Sequence, residues 1–232
     1  MINIVLVEPK GEENVGAVSR AMMNFGCSKL ILINPQCNHL SEKSLNYAIH
    51  SSDILKNAIL YGNLTDLFIK SSLNIAITRR IGDWRIRDLY SYQLKDFLSG
   101  YNTDANINLI FGREANGLTN DEVKLCDLIC TIPSSSEFPS INLSHSVSLI
   151  LYELFKNKAE NVDNITKIED FNLMTDQIYK TLENMDFFKN SASWVIKNFI
   201  KKILLRAQLK DNESQIIKNV FKSIDGIIKK DK

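Results

Sequence analysis

Residues 109–149, LIFGREANGLTNDEVKLCDLICTIPSSSEFPSINLSHSVSL, decide the fold class. This stretch contains two short apolar runs, at 109–111 and 128–132, and each is followed by a polar loop and the start of a helix. Such runs are typical of strands that are buried in a parallel sheet. Ligands bind at the carboxyl ends of parallel strands, so we expect the two loops to share one pocket.

The same order of strand, loop and helix repeats from the N-terminus to residue 155. Asn14 is expected to cap the first helix, which should end just before Gly26. The alternation predicts an α/β fold with a mostly parallel sheet that helices cover on both faces. Apolar patterns predict strands at 2–7, 30–34, 59–61 and 74–78, and helices at 15–25, 41–47, 51–58, 64–71, 92–99 and 144–156.

Beyond residue 156 the sequence changes character. A polar stretch without periodic apolar residues is followed by segments in which apolar residues recur at spacings of three and four. These segments predict three helices, at 168–184, 192–209 and 213–230. We predict a first domain at 1–158, a linker at 159–167 and a helical C-terminal extension at 168–232.

Composition limits the class of protein. The chain has 232 residues, 44% of them hydrophobic, and no apolar run approaches the ~20 residues of a membrane span. It begins with the strand-like INIVLVEP, not with a basic and then apolar signal. We therefore expect a soluble protein in the cytoplasm, with no membrane partner.

The four cysteines and three histidines do not indicate a metal site. Cys126 and Cys130 are four residues apart, but both lie in or beside an apolar run, which favours buried thiols. We predict no bound metal.

The charges are distributed unevenly along the chain. Residues 1–165 contain 15 basic and 18 acidic side chains, whereas 166–232 contain 13 basic and 9 acidic side chains. The basic C-terminal part fits either a contact with nucleic acid or a solvated helix surface.

Polar loops after the strands carry the candidate functional residues. None contains a dinucleotide-binding glycine motif, a P-loop, a zinc-protease motif or a nucleophile elbow. The first loop leads into Asn14, Gly16 and Arg20, of which Asn14 and Gly16 suit a tight turn and a helix start. Arg20 would lie in the first helix, either solvated or directed at a cleft.

A basic loop follows the strand at 74–78. Arginines interleaved with an aromatic ring can hold phosphates and stack on an unpaired base, but a surface loop is an equal alternative. The residues concerned are Thr78, Arg79, Arg80, Trp84, Arg85 and Arg87.

The two late loops differ in length and content. In the first, Gly112 permits close approach of a ligand, and Glu114 could pair with Arg113 or Arg20 or accept a bond from the ligand. The second loop, from residue 133 to 145, is long for a compact domain, which favours a function. Asn142 is a candidate helix cap. His145 is a candidate general base, although a structural role is favoured.

Three segments together resemble the signature motifs of the SPOUT superfamily of RNA methyltransferases. Within it, the chain is similar from Ile2 to its end to the TrmJ-type tRNA 2'-O-methyltransferases, which modify the ribose of nucleotide 32 in the anticodon loop. The motifs are Asn14, Gly16 and Arg20, then Phe111-Gly112-Arg113-Glu114 with Gly117-Leu118-Thr119, then Ile132-Pro133 with Ser140-Ile141-Asn142-Leu143-Ser144.

The resemblance implies a fold that the apolar pattern alone does not reveal. SPOUT domains end in a deep trefoil knot that binds S-adenosylmethionine, and they form homodimers whose active sites are completed across the interface. The helices at 15–25 and 146–155 are the candidates for that interface. The implied cofactor-binding residues are Thr78, Arg79, Arg80, Gly112, Ile132, Pro139, Ser140 and Ile141.

The resemblance also implies the chemistry. Arg20, in the family from the opposite subunit, would lower the pKa of the ribose hydroxyl and orient it. It would act either as an electrostatic activator or as the base itself. Ser140 would position ribose or cofactor, Glu114 would order the arginines, and Arg85 and Asn142 would support the site or the RNA. Phe138 stands where related loops often have a tyrosine.

The expected partners are a tRNA and a second copy of the chain, without DNA. One alternative is a SpoU-like enzyme that acts on ribosomal RNA or at another tRNA position. Another is a knotted RNA-binding dimer without catalysis, which the presence of Arg20, Gly112 and Ser140 disfavours.

Overall fold

The computed structural model describes residues 1–68, 72–80, 87–100, 106–156, 167–188 and 193–228. They form two compact units: Met1–Lys95 with Asn106–Ala159, and Asp96–Ala105 with Glu160–Lys232. The predicted linker and Arg85 lie largely or wholly outside the described residues.

Strands and helices alternate through the first unit. Its strands are β1 (Ile2–Val7), β2 (Lys29–Ile33), β3 (Ile59–Tyr61), β4 (Ser72–Ile77), β5 (Leu89–Tyr90), β6 (Asn106–Phe111) and β7 (Leu128–Thr131). The helices that begin in this unit are α1 (Glu12–Asn24), α2 (Glu42–Ala48), α3 (Ser52–Lys56), α4 (Ser91–Ser99), α5 (Asn120–Leu125) and α6 (Leu143–Phe155).

The described strands form one sheet in the order β3-β2-β1-β6-β4-β7-β5, and every neighbouring pair is parallel. The α/β class and the parallel sheet are therefore confirmed. In β1 the pairing partners of Ile4 are Leu30 on β2 and Leu109 on β6. Because all strands run the same way, the loops after β4, β6 and β7 meet at one edge.

Alternate side chains of the strands build the core. Val5 and Val7 of β1 pack with Leu64, Leu67 and Val123 on one face of the sheet. Burial of each such side chain stabilises the fold by about 1.5–3 kcal/mol. Cys126 and Cys130 are buried as predicted, and burial raises the pKa of Cys130 to about 12.

Four polar side chains cross the same sheet near the amino ends of its strands. Asn3 donates to Asn108 and Asn108 donates to Asn74, both at 2.7 Å, and Asn74 donates to Asp127 at 3.3 Å. The three asparagines are at least 95% buried. We call this row the asparagine ladder. It joins β1, β6 and β4 in register, since Asn3 pairs with Asn108 and Asn108 with Asn74 along the backbone.

Two predicted details of α1 are wrong. The helix begins at Glu12 after Gly11, and Asn14 lies inside it, so Asn14 is not the cap. Gly16 lies in mid-helix, where an added Cβ would stand 2.3 Å from the carbonyl oxygen of Ser44. Gly16 therefore allows α1 to pack closely on α2. Gly26, with φ +67°, follows the helix as predicted.

Other local predictions were partly right. The segment 64–71 forms a 3-10 turn at Leu64–Leu67, and its last residues lie outside the described ranges. The segment 51–58 contains α3 after a 3-10 turn at Ile49–Ser51. The two-residue strand β5 was not predicted.

Three helices form most of the second unit: α7 (Ile168–Asn184), α8 (Ser193–Ala207) and α9 (Asp211–Ile228). Helix α7 packs against both α8 and α9. Two ion pairs, Lys197 with Asp176 at 2.7 Å and Lys218 with Asp170 at 2.8 Å, join α7 to α8 and to α9. Across the described helices of both units, none combines the length and apolarity that a membrane span requires.

Candidate active site

A cavity of about 380 Å³ opens at the carboxyl edge of the sheet. The loops after β4, β6 and β7 form its walls, together with the start of α6. Every residue predicted to bind the cofactor lines it: Thr78, Arg79, Arg80, Gly112, Ile132, Pro139, Ser140 and Ile141.

The loop after β6 folds back on itself at the cavity. Gly112 lies against the backbone of Gly117, where a Cβ would stand 2.1 Å from the carbonyl carbon. Gly117 has φ +63°, and it exchanges two backbone hydrogen bonds with Arg113. Any side chain at position 112 would force this loop open. The glycines thus shape the loop itself, whereas the sequence suggested only that they admit a ligand.

Arg113 holds the loop in place through two carboxylates. Its Nε donates to Glu8 at 2.7 Å, and its two terminal nitrogens donate to Glu122 at 3.0 and 2.9 Å. The hydrogen bond from Arg113 lowers the pKa of Glu8. Burial raises the pKa of Glu122, but hydrogen bonds from Arg113 and Thr119 outweigh it and lower the pKa overall. Arg113 therefore ties the ends of β1 and β6 to α5.

Glu114 caps α1. Its carboxylate accepts hydrogen bonds from the backbone amides of Lys10 and Gly11 and from Nδ2 of Asn14, at 2.9–3.3 Å. Burial raises the pKa of Glu114, but these bonds outweigh it and hold the pKa below its ordinary value of 4.5. Glu114 does not pair with the adjacent Arg113, which bonds to Glu8 and Glu122 instead. That Glu114 orders the arginines of the pocket stays a prediction.

Asn14 connects the three motifs. While its amide donates to Glu114, its Oδ1 accepts from Nδ2 of Asn142 at 3.0 Å. Asn142 caps α6 as predicted, accepting from the backbone amides of Ser144 and His145. The three side chains Glu114, Asn14 and Asn142, here called the motif bridge, join the loop after β6 to the starts of α1 and α6.

The remaining walls come from β4 and the long loop after β7. Thr131 donates to the carbonyl of Thr78 at 2.9 Å, and the hydroxyl of Thr78 accepts from the amide of Arg80. The side chains of Arg79 and Arg80 are exposed at the mouth. Ser134 donates to the carbonyl of Pro139, which folds the loop that brings Ser140 to the cavity.

Several candidate residues lie apart from the cavity. Arg20 is exposed on α1 and does not line it. Arg20 lies six positions after Asn14 on the helix, about 9 Å along the axis. In the part of the chain that the structure describes, no hydrogen bond or ion pair engages its guanidinium. His145 and Phe138 are also exposed and absent from the lining, and Phe138 is 81% exposed.

Sequence reasoning missed two contributors. Glu8 pairs with Arg113, and Ser146 lines the cavity from α6. The position of Glu8, directly after β1, was a usable signal, because strand-end side chains meet at this edge. Ser146 had no comparable signal within an apolar helix.

Residues 1–152 match the SpoU rRNA Methylase family. The chain belongs to this family. The tRNA (cytidine-2'-O-)-methyltransferase TrmJ of Methanocaldococcus jannaschii is 30% identical over 231 residues, which cover 96% of this chain and 99% of that relative. The predicted membership of the SPOUT RNA methyltransferases and the resemblance to TrmJ are thereby confirmed, and the protein is an RNA methyltransferase.

Solved structures agree with the family. A probable methylase family protein from Haemophilus influenzae superposes with a TM-score of 0.73 at 25% identity, covering 100% of this chain and 98% of that chain. The SpoU methyltransferase AviRb from Streptomyces viridochromogenes, solved with AdoMet, has a TM-score of 0.54 at 20% identity and covers 66% of this chain and 59% of that chain. At that identity the likeness to AviRb concerns the fold alone.

Proposed function

We propose that the protein uses S-adenosylmethionine to methylate the 2'-hydroxyl of a tRNA ribose, at nucleotide 32 of the anticodon loop. One observation carries the proposal: the eight predicted cofactor-binding residues, from separate loops, line one cavity. The name of the M. jannaschii relative supports tRNA as the substrate and the ribose as the acceptor. Position 32 rests on the sequence resemblance.

The cavity suits the cofactor. Its volume of about 380 Å³ lies within the range of ligand pockets, about 300–1,000 Å³. Ile132, Ile141 and Leu143 offer apolar contacts for a purine ring, while Arg79 and Arg80 can pair with a carboxylate. The bound cofactor would supply a methyl group on a positively charged sulfur. The deep trefoil knot expected of SPOUT domains would bring these loops together.

Arg20 would act on the nucleophile. A ribose hydroxyl is a poor nucleophile, and a guanidinium beside it stabilises the developing alkoxide and orients its lone pair, while the hydroxyl proton would pass to Arg20 as the base or to water. Ser140 would donate a hydrogen bond that holds ribose or cofactor. Glu114 is a poor candidate for the base, because its carboxylate already accepts bonds from two amides and Asn14 and its pKa is low.

A second copy of the chain would complete the site. Helices α1 and α6 pack together, and the ring of Phe25, directly after α1, contacts Tyr152 edge to face and Phe155 at a tilt. Beside that seam, large apolar side chains stay exposed in the single chain, and an exposed apolar patch marks an interface. They are Met23, Leu149, Tyr152 and Phe155, with exposures of 42–61%. A two-fold axis there would bring Arg20 of one chain to the cavity of the other.

The C-terminal helices would contact the tRNA. Helices α7, α8 and α9 lie within the segment predicted to be the extension, and Arg206 is exposed on α8. Lys197 contributes less positive charge than the sequence suggests, because it pairs with Asp176. Cytoplasmic location stays a prediction.

The first test measures transfer of labelled methyl from S-adenosylmethionine to tRNA transcripts, followed by mass spectrometry of the modified nucleotide. We expect 2'-O-methylation at nucleotide 32, with a chemical step that tolerates removal of magnesium. Methylation of a base, or of a ribose elsewhere in tRNA or in ribosomal RNA, contradicts the assignment. Tight binding of tRNA without transfer would instead support the non-catalytic dimer.

Arg20→Ala tests the mechanism. We expect transfer to fall by about 100- to 1,000-fold, as for removal of a charge-stabilising group, while calorimetry gives an unchanged Kd for the cofactor. Lys56→Ala, on the exposed surface of α3, is the control with unchanged activity. Loss of cofactor binding would show that Arg20 has a different role.

Mixed dimers test the trans arrangement. Arg20→Ala subunits are mixed with Ile132→Trp subunits, whose ring fills the cavity. If Arg20 serves the partner's cavity, each mixed dimer has one working site, and about a quarter of the wild-type rate returns. If Arg20 serves its own chain, the mixture stays inactive.

A further inference from the structure

We propose that Arg87, Tyr90 and Tyr92 form a stacking site for an unpaired nucleobase of the RNA substrate, beside the cofactor cavity. The inference rests on the proposed function and deepens it, because it assigns a place to a second nucleotide of the substrate loop.

The three side chains form a continuous stack. The guanidinium of Arg87 lies 3.8 Å from the centre of the Tyr90 ring, and the rings of Tyr90 and Tyr92 are 5.1 Å apart with an angle of 14° between their planes. The arrangement places a cation, a ring and a second ring in sequence. Tyr92, at the outer position, is 55% exposed. An RNA base adds to such a stack through its flat face.

Hydrogen bonds order the backbone that carries the stack before any RNA binds. Asp88, between Arg87 and Tyr90, donates its amide to the carbonyl of Ile129, and its carboxylate accepts from the amide of Ile129 at 2.9 Å. The amide of Tyr90 donates to Oε1 of Gln93 at 2.9 Å, at the start of α4. A preordered aromatic platform loses little entropy on binding a base.

The stack lies at the same edge of the sheet as the cavity. Tyr90 pairs with Thr131, whose hydroxyl donates to the carbonyl of Thr78, and the next residue, Ile132, lines the cavity. Two strand spacings, about 10 Å, separate Tyr90 from Thr78. That span is close to the length of one or two nucleotides, so a base next to the target nucleotide can reach Tyr92.

The charge around the stack suits RNA. Arg79 and Arg80 are exposed at the mouth of the cavity, and Arg87 lies beyond them at the stack. Guanidinium groups bind phosphates, while the tyrosine rings accept bases without regard to sequence. The combination favours a single-stranded loop over a protein segment, which would need an apolar groove rather than one flat ring.

The test uses an anticodon stem–loop RNA in which 2-aminopurine replaces each loop nucleotide in turn. Stacking on a ring quenches this base, so we expect one position to lose fluorescence on binding the wild type and Tyr92→Phe. Tyr92→Ala should abolish that quenching and raise the Kd about tenfold, since one base stack is worth about 1–3 kcal/mol. The Kd for S-adenosylmethionine should not change.

Two matched variants separate stacking from other causes. Tyr92→Leu keeps an apolar side chain without a flat ring and should bind RNA nearly as weakly as Tyr92→Ala. Leu60→Ala removes an exposed apolar side chain from the opposite edge strand, β3, and should bind like the wild type. Circular dichroism checks that each variant is folded.

The outcomes distinguish this inference from the proposed function. If the wild type methylates tRNA but Tyr92→Ala or Tyr92→Leu binds the stem–loop as tightly as Tyr92→Phe, the stacking site is wrong and the function stands. If the wild type neither binds nor methylates the RNA, both are wrong. Protection of Tyr92 by a protein partner instead of RNA would also overturn the stacking site.

Discussion

Two networks of polar side chains lie at opposite ends of the same strands. At the amino ends, the asparagine ladder joins Asn3, Asn108 and Asn74 to one another. At the carboxyl ends, the motif bridge joins Glu114 to backbone amides and joins Asn14 to Asn142. The ladder bonds mainly side chain to side chain within the sheet, whereas the bridge bonds side chains to loops and helix starts.

The difference shows that asparagine and carboxylate side chains have different structural roles at the two ends of the strands. Buried amides that bond one another across neighbouring strands fix the register of those strands. Carboxylates and amides that bond loops and helix starts fix the positions of the segments around the cavity. We therefore expect the ladder to govern stability and the bridge to govern activity.

Asn108→Leu is the strongest test of the first half of this statement. It keeps the volume but removes the acceptor of the Asn3 side-chain amide, and it leaves the side-chain carbonyl of Asn74 with only a 3.5 Å hydrogen bond from Ser72. Each buried polar group that loses a hydrogen-bond partner costs about 1–3 kcal/mol, so the free energy of unfolding should fall by about 2–5 kcal/mol in urea titrations. Transfer activity per folded molecule should be unchanged.

Lys56→Ala is the control for that experiment. Lys56 and Asp53 form an exposed pair, and its loss should change the unfolding free energy by less than about 0.5 kcal/mol. A similarly small effect of Asn108→Leu would mean that the ladder does not set stability.

Glu114→Ala should affect activity more than stability. Removing the carboxylate uncaps α1 and releases Asn14, at a cost of about 1–2 kcal/mol in unfolding free energy. The displaced loops should lower the transfer rate by about 10- to 100-fold. Parallel urea titrations and label-transfer assays measure both. Wild-type activity from Glu114→Ala would break the distinction between the two networks.

The smallest expected effect is the dependence of stability on pH. Glu8, Glu114 and Glu122 have lowered pKa values, so their stabilisation is present above pH 4.5 and is lost as the pH falls through the folded-state values. Asparagines do not titrate, so the ladder adds nothing to this slope. Thermal unfolding between pH 6 and pH 3 should show a shallower decline for Glu114→Gln than for the wild type. An equal decline would assign the slope to other groups.

Local patterns were enough to predict most of the sheet. Apolar runs such as 2–7 and 74–78 marked the strands because a buried parallel strand needs apolar residues on both faces. Gly26 and Asn142 were predicted correctly because helix ends have local chemistry. The two-residue strand β5 was missed because only its pairing with β7 defines it.

Residues of the site were predicted better than their contacts. The motif resemblance identified the cavity residues, yet it did not reveal their contacts. Asn14 was predicted to cap α1, whereas the amide of Gly11 at the start of α1 donates to Glu114, 103 positions later in the sequence. Likewise, the adjacent Arg113 and Glu114 do not pair, since each bonds groups brought near by the sheet. Partners so far apart in sequence leave no trace in local spacing.

The close seam between α1 and α2 has a consequence for where Arg20 can stand. With only 2.3 Å between the position of a Cβ on Gly16 and the Ser44 oxygen, the helix cannot carry a methyl group there without moving outward. An α-helix moves as a stiff rod, and Arg20 lies one turn, about 6 Å, beyond Gly16. The glycine at position 16 thus lets α1 lie close to α2, and this position of the helix sets how far Arg20 projects from the surface of the subunit.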